Sequence, residues 1–251
     1  MKFQLYSDLH LEQGYFFMQP EADADVIILA GDIAVGVAGL EYATSLIRLH
    51  QKPVIYVPGN HEFYHHDLHS LRDEMQSIAR KEPQLHLLDN ATVVLGNVRF
   101  IGSTLWTDYQ LNEDFDKSAN MVFIERFLND HRFIQVGENK FSTADALALH
   151  QQARRYLTAE LNKPFAGKTV VVTHHAPSLA CHHPGFALDN MAAAFVTDCD
   201  ALLGYANVWC FGHTHANVDT VINGCRVVSN QKGYLREQLP VAFQKSLVIT
   251  V

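Results

Sequence analysis

Five apolar runs in this chain each end on a short polar motif, and that repeated coincidence restricts the fold more than any other feature. The runs are 3–6, 26–30, 54–57, 170–172 and 208–211. The motifs that follow are Asp8-Leu9-His10, Gly31-Asp32, Gly59-Asn60-His61-Glu62, His174-His175 and Gly212-His213-Thr214-His215. Each motif sits where a β-strand should end, and loops at the carboxyl ends of strands are where α/β proteins place their chemistry. Asp, Asn and His together form a mixed oxygen and nitrogen ligand set without soft sulfur, which suits Mn, Fe, Zn or Ni.

The segments between the motifs alternate in period. Residues 3–7 and 25–30 read as strands. Within 39–50, Leu40, Ala43, Leu46, Ile47 and Leu49 recur at helical spacing. A strand is expected at 53–57 and a helix at 67–81, with Leu68, Leu71, Met75, Ile78 and Ala79 on one face. This alternation implies βαβ units and a mostly parallel sheet. Further on, 92–95 and 98–101 flank Gly96-Asn97, and 219–222 and 226–228 flank Asn223-Gly224, both hairpin signals. A last strand is expected at 246–251, and helices at 143–161 and 188–203. A parallel core with added hairpins, sheet facing sheet and helices outside, is a layered α/β/β/α arrangement. The 251 residues are compatible with one large domain or two small ones, and the reading adopted is a single domain, 1–251. The stretch 106–136 is the least regular. It reads either as a cap-like insertion over the site or as a helix and loops packed on one edge.

Composition narrows the partners. The chain is 48% hydrophobic and 18% charged, as expected of a globular protein with a sizeable core. A net charge of −8 disfavours a nucleic-acid polymer or an anionic membrane as partner, although a bound metal pair inverts the charge locally. Cys181, Cys199, Cys210 and Cys225 form no C-x-x-C pair and read as reduced thiols of a cytoplasmic protein. The strand expected from Lys2 leaves no room for a signal peptide, and no apolar run approaches the roughly 18 residues of a membrane span. Oligomeric state stays open. The 15 histidines stand against only 19 Lys plus Arg, and their clustering makes that excess informative.

Asp8 and His10 are two apart, as are His213 and His215. At a strand end, residues i and i+2 point to the same side, so each pair can reach one ion. Asp32 offers two oxygens and can bridge two cations, whereas Asn60 offers a neutral carbonyl oxygen. Singly, Asp8 and Asp32 also fit a cap or turn, and Asn60 after Gly59 a turn. Together, five such coincidences point to a metal centre.

In their order, the motifs D-x-H, G-D, G-N-H-E, H-H-x-P and G-H-T-H resemble those of the calcineurin-like metallophosphoesterase superfamily, from Asp8 to His215. The resemblance implies a four-layer α/β/β/α sandwich of two mixed β-sheets flanked by helices. It implies one metal held by Asp8, His10, Asp32 and His215 and another held by Asp32, Asn60, His174 and His213. It implies His61 as the catalytic histidine that is not a ligand, and His174 rather than His175 as the ligand. Many members carry a further polar residue shortly after the G-D pair, but here Ile33-Ala34-Val35-Gly36 follows Asp32, so the partner orienting His61 is open. The D-R-G extension of the family's protein phosphatases is missing, which argues against a phosphoprotein substrate.

Two cations roughly 3.5–4 Å apart hold a bridging water or hydroxide as the nucleophile. They also neutralise charge that builds on the phosphoryl oxygens. His61 is suited to protonate the leaving oxygen. The leading expectation is a hydrolase of small phosphate esters; a phosphodiester such as a cyclic nucleotide comes first because H-H-x-P resembles members that cleave such substrates, and manganese is the first choice of metal. The alternatives are a phosphomonoesterase, a nucleotide pyrophosphohydrolase, a DNA nuclease, or a scaffold without catalysis. His65, His66, His182 and His183 are candidates for substrate contact or for solvated loop positions. Thr104 and Trp106 are candidates for the pocket wall or, for Trp106, the core.

Overall fold

The computed structural model describes residues 1–21, 23–111 and 114–251. The chain runs through β1 (Lys2–Tyr6), β2 (Val26–Ala30), α1 (Ala38–His50), β3 (Val54–Val57), α2 (Leu68–Ala79), β4 (Leu85–Leu87), β5 (Ala91–Leu95) and β6 (Val98–Ser103). It continues through α3 (Lys117–Phe127), α4 (Asp130–Phe133), β7 (Gln135–Val136), β8 (Asn139–Lys140), α5 (Thr143–Leu161) and β9 (Lys168–Thr173). It closes with α6 (Asp200–Leu203), β10 (Val208–Phe211), β11 (Asp219–Ile222), β12 (Cys225–Ser229) and β13 (Val248–Thr250).

Two mixed sheets form. One has the order β13-β1-β2-β3-β4, parallel except for β13 on its edge; the other has the order β11-β12-β10-β9-β6-β5, parallel except for the edge strands β11 and β5. The strand period of two decides which side chains meet. Phe3, Leu5, Val26, Ile28, Ile55 and Val57 of the first sheet face Val98, Phe100, Val170, Val172, Val208 and Cys210 of the second in one buried cluster. Phe3 and Phe100 meet edge to face across it, ring centres 6.5 Å apart. The intervening residues point outward. Ile27, Leu29 and Tyr56 join Leu40, Leu46, Leu71 and Met75 of α1 and α2, while Ile101 and Val171 are buried with Ala153 and Leu157 of α5. Burial on both faces explains why the parallel strands read as unbroken apolar runs. Each such side chain contributes about 1.5–3 kcal/mol. The four-layer sandwich expected from the sequence is the observed fold.

Local chemistry sets the ends of these elements. Asp67 caps α2 by accepting from the Ser70 N–H, and Ser142 with Asp145 forms a capping box at α5. Both hairpins form where Gly96-Asn97 and Asn223-Gly224 indicated; in the second, both turn residues have positive φ (50° and 80°), as a primed two-residue turn requires.

One expected helix does not form. Residues 188–203 divide into a short 3-10 turn, Asn190–Ala194, and α6, with an extended link between them. Asp189 accepts from the N–H groups of Met191 and Ala192 and starts the turn. Val196 then bridges Ala176, and the N–H groups of Thr197 and Cys199 donate to the carbonyls of Ala176 (3.1 Å) and Pro177 (2.8 Å). Pairing with the loop after β9 outcompetes the helical bonds, in a stretch whose β-branched Val196 and Thr197 favour extension anyway. The region expected as a cap-like insertion, 106–136, includes Asn112 and Glu113, which lie outside the described residues. Its described part contains α3 and α4.

Candidate metal centre

The parallel strands β1, β2 and β3 end at the same edge of one sheet, and β9 and β10 at the same edge of the other. The loops that follow them meet. The His213 N–H donates to Asp8 (3.0 Å to Oδ1), and His174 Nε2 lies 3.3 Å from Asp32 Oδ1, so the contacts cross between sheets. Three sets of ligand atoms each fall within 4.8 Å of one another: Asp8, His10 and His215; Asp32, His174 and His213; and His10, Asp32 and His61. Asn60 joins the second set, its Oδ1 3.0 Å from His174 Nε2. The structure thus gathers all eight residues singled out by the sequence, with His61 between the two groups.

The backbone here is held in an unusual conformation. Asp8, His10, Asp32, His213 and His215 all have φ between 46° and 70°. Left-handed non-glycine residues cost of order 1 kcal/mol or more each and persist only where the surroundings over-determine them. Two glycines are dictated by crowding. A Cβ on Gly59 would lie 2.2 Å from Asp32 Oδ1, and one on Gly31, at φ 86°, would lie 2.3 Å from His174 Nδ1.

Hydrogen bonds fix which atoms face the centre. His174 Nδ1 donates to the Ala30 carbonyl (2.9 Å), His10 Nδ1 to Glu12 (3.0 Å) and His215 Nδ1 to Glu237 (2.5 Å). Each ring therefore turns Nε2 inward, the arrangement in which an oxygen acceptor orients a metal-binding imidazole. Asn60 Nδ2 donates to Asp130 (2.8 Å), which aims its carbonyl oxygen inward. The result is a convergence of electron pairs. His10 Nε2 and His215 Nε2 are 3.2 Å apart, and His215 Nε2 is 3.4 Å from Asp8 Oδ1. His213 Nε2 is buried with no hydrogen-bond partner among the described residues. Such contacts need a proton or a cation between them, and an O/N donor set of this kind fits transition-metal ions.

Protonation follows the same logic. In the metal-free protein, burial disfavours charged rings. Asp32 nevertheless holds His174 up to about 9, and Asp8 with Glu237 holds His215 up to about 10. His213 is pushed well down by burial and by its histidine neighbours, so it stays a neutral ring. Burial also raises carboxyl values, but for Asp32 the facing histidines outweigh it and the group stays well below the usual carboxylate range.

Several contributing residues were given no role in the sequence reading, Glu62 included, which entered only as the last letter of the G-N-H-E motif. Glu12 contacts both His10 and His61, with Oε1 3.4 Å from His61 Nδ1, and so fills the place of the partner left open for His61. It continues the i, i+2 spacing of Asp8 and His10, a signal that was available. Glu62 is fully buried and accepts from the N–H groups of Asp32 (3.0 Å), Gly59 (2.7 Å) and Ile33 (2.9 Å) and from the Tyr56 hydroxyl (2.7 Å). Asp130, from α4, accepts from Asn60 and from the Tyr64 hydroxyl, while the Tyr64 ring stacks on His61 at 4.2 Å. The Tyr234 hydroxyl lies 3.3 Å from His61 Nε2. Nothing local in the sequence marks Asp130, Tyr234 or Glu237, which reach the centre only through the fold.

The outer candidates divide. His175 is a neutral wall residue: burial and His174 push it down to about 3, its Nδ1 donates to the Thr104 carbonyl, and its ring lies 4.1 Å from that of His213. Trp106 is 3% exposed among Phe63, Phe141 and His175, and the Thr104 hydroxyl donates to the Pro58 carbonyl, so both support the loops from behind. His65 and His66 are exposed, whereas His182 and His183 border a cavity beside the centre.

With this geometry in hand, the class is clear. The family profile of calcineurin-like phosphoesterases matches residues 1–217, and the chain belongs to that family. Membership implies a phosphoric ester hydrolase with a dimetal centre. An uncharacterized protein, L509, of Acanthamoeba polyphaga mimivirus is 26% identical over 267 residues, covering 92% of this chain and 91% of that protein. Among solved structures, phosphopantetheinyl hydrolase from Mycobacterium tuberculosis shares the fold with a TM-score of 0.72 at 22% identity, covering 94% of this chain and 90% of that one. A dimetal phosphatase from Danio rerio matches with a TM-score of 0.50 at 16% identity, covering 91% and 86%. Among the described residues no helix is long and apolar enough to cross a membrane.

Proposed function

We propose that this chain is a single-domain, two-metal phosphodiesterase of the cytoplasm that hydrolyses a small phosphodiester, with manganese as the preferred ion. Asp8, His10, Asp32 and His215 hold one ion, and Asp32, Asn60, His174 and His213 the other. The observation that carries the reading is the convergence of inward-facing Nε2 and carboxylate atoms on either side of Asp32, within 4.8 Å in each set. When bound, the ions supply a nucleophilic water at neutral pH and neutralise charge on the phosphoryl oxygens.

The chain's own groups do the rest. His61 faces the cleft over Asp32 (Nε2 to Oδ2 3.9 Å) and donates a proton from Nε2 to the departing alkoxide. Glu12 holds its Nδ1–H, and the Tyr64 ring fixes its plane. In the metal-free protein burial opposes the charged ring, but Asp32 and Glu12 outweigh it and raise His61 to about 9. Tyr234 is placed to hydrogen-bond a phosphoryl or ester oxygen beside His61. Phe127, Leu128 and Asn129 from the 106–136 stretch border the cleft, which supports its role as an insertion walling the site. A diester is favoured over a pyrophosphate or a DNA strand because no Lys or Arg is among the described residues lining the cleft, whereas Glu237 is.

The test is hydrolysis of bis-p-nitrophenyl phosphate against p-nitrophenyl phosphate after metal stripping and Mn addition, with wild type and Asp32→Ala side by side. Diester turnover that needs both Mn and Asp32 is expected. Faster monoester turnover would make the protein a phosphomonoesterase, and failure to bind metal would leave a non-catalytic scaffold.

A further inference from the structure

Beside the metal cleft lies a second cavity of about 230 Å³, lined mainly by Phe186, Met191, Ala192, Phe195 and Thr214, with His182, His183 and Asp189 at its sides. Phe186, Phe195 and Thr214 also line the cleft itself, so the two spaces share a wall. Phe195 stacks on the ring of His213, 4.7 Å between centres, which sets the mouth of the cavity against the metal ligands. Phe186 is 67% exposed, a large apolar ring packed against His183 (ring centres 4.5 Å apart) and otherwise largely open at the edge of a polar site. Apolar surface beside a polar centre is where ligands bind.

The cavity has a definite place relative to the chemistry. His61 sits with Tyr64, His10 and Tyr234 and is not among the residues lining the cavity. The leaving oxygen goes to His61, so the cavity takes the ester group that stays on phosphorus. Charge restricts that group further. No Lys or Arg is among the described residues lining either space, whereas Asp189 and Glu237 are, so an additional anionic group there would meet carboxylates without a cation.

Resting on the phosphodiesterase reading, the geometry points to a retained-group subsite: the substrate is a diester whose non-leaving ester arm is uncharged and apolar, seated between Phe186, Met191 and Phe195, and the product is the phosphomonoester of that apolar alcohol. Because the arm does not react, its contacts are made in the ground state and the transition state alike. They act on KM rather than on kcat.

The experiment uses two diesters with the same leaving group, methyl p-nitrophenyl phosphate and phenyl p-nitrophenyl phosphate, each rate normalised to its uncatalysed hydrolysis. The Mn-loaded wild type should prefer the phenyl ester by roughly tenfold or more in kcat/KM, mostly through KM, since even one methylene in a fitted pocket is worth about tenfold. Phe186→Ala, on an exposed loop, and Met191→Ser should each shrink that preference severalfold, mostly by raising KM for the phenyl ester, while metal content, counted by elemental analysis, stays unchanged. Equal handling of both esters by wild type, or a preference that survives both substitutions, overturns the subsite while leaving the phosphodiesterase reading intact. No metal-dependent turnover of either ester overturns the parent reading itself.

Discussion

Glu62 offers the sharpest test of how the centre is held. Its carboxylate accepts four hydrogen bonds, from the N–H groups of Asp32, Ile33 and Gly59 and from the Tyr56 hydroxyl, and so ties the loops after β2 and β3 to β3 itself. The side chain is fully buried, so water cannot replace it. Glu62→Ala strands three backbone N–H groups. At roughly 1–3 kcal/mol per buried orphan donor, the loss is about 3–9 kcal/mol. That is a large share of a typical total of about 5–15 kcal/mol. Glu62→Gln keeps one oxygen, which can serve Asp32 and Gly59. Its amide then faces the Tyr56 hydroxyl, which can rotate to accept, and the Ile33 N–H, which cannot. One orphan remains, so the loss should be about 1–3 kcal/mol. For a chain of this length each kcal/mol lowers Tm by roughly 2–4 °C. Urea and thermal unfolding of the metal-stripped protein at pH 8 is the assay. Burial and Asp32 push Glu62 up to about 7, so at pH 8 the carboxylate is ionised and accepts from all four donors. An alanine variant within about 1 kcal/mol of wild type, or a glutamine variant less stable than the alanine one, would refute the reasoning.

Three other outcomes are expected. His61→Ala should keep its metal equivalents, counted by elemental analysis, and lose roughly 10²–10⁴ in kcat, the usual contribution of a general acid. Glu12→Gln should lower kcat about 10- to 100-fold on alkyl diesters and much less on p-nitrophenyl diesters, whose leaving group needs little protonation; an equal loss on both, measured by product release, would mean Glu12 does not act through His61. Metal affinity should rise with pH. The raised values of His174 (about 9) and His215 (about 10) stabilise the metal-free fold below about 6.5, and that stabilisation fades as pH climbs through 9 and 10. Metal must displace those protons, so competition titrations at pH 6.5, 7.5 and 8.5 should show affinity gaining up to roughly tenfold per pH unit for each proton released.

Much of the fold and the inner part of the candidate site could be read from local pattern. The alternation of 2-residue and 3.6-residue periods is a property of neighbouring residues, and it located β1–β3, α1, α2, α5 and both hairpins. The ligand motifs were legible for a similar reason: strand-end loops expose residues i and i+2 together, so Asp8 with His10 and His213 with His215 announce themselves in linear order. The helix expected over 188–203 fails because the winning hydrogen bonds run from Thr197 and Cys199 to Ala176 and Pro177, twenty or so residues upstream. Periodicity carries no information about such pairing.

The groups that orient the ligands were hidden for the same reason. Asp130 reaches Asn60 from 70 residues away, Glu237 reaches His215 from 22, and Tyr234 reaches His61 from 173. By itself, then, the amino-acid order determined the layered α/β/β/α architecture, the residues that gather at the candidate centre and the chain's membership of a phosphoesterase family, because strand period and motif spacing act over a few residues. The tertiary structure alone decided which nitrogen of each histidine faces inward, which carboxylate steadies His61, and where an apolar cavity opens beside the centre, because those depend on side chains that meet only after two sheets have packed face to face.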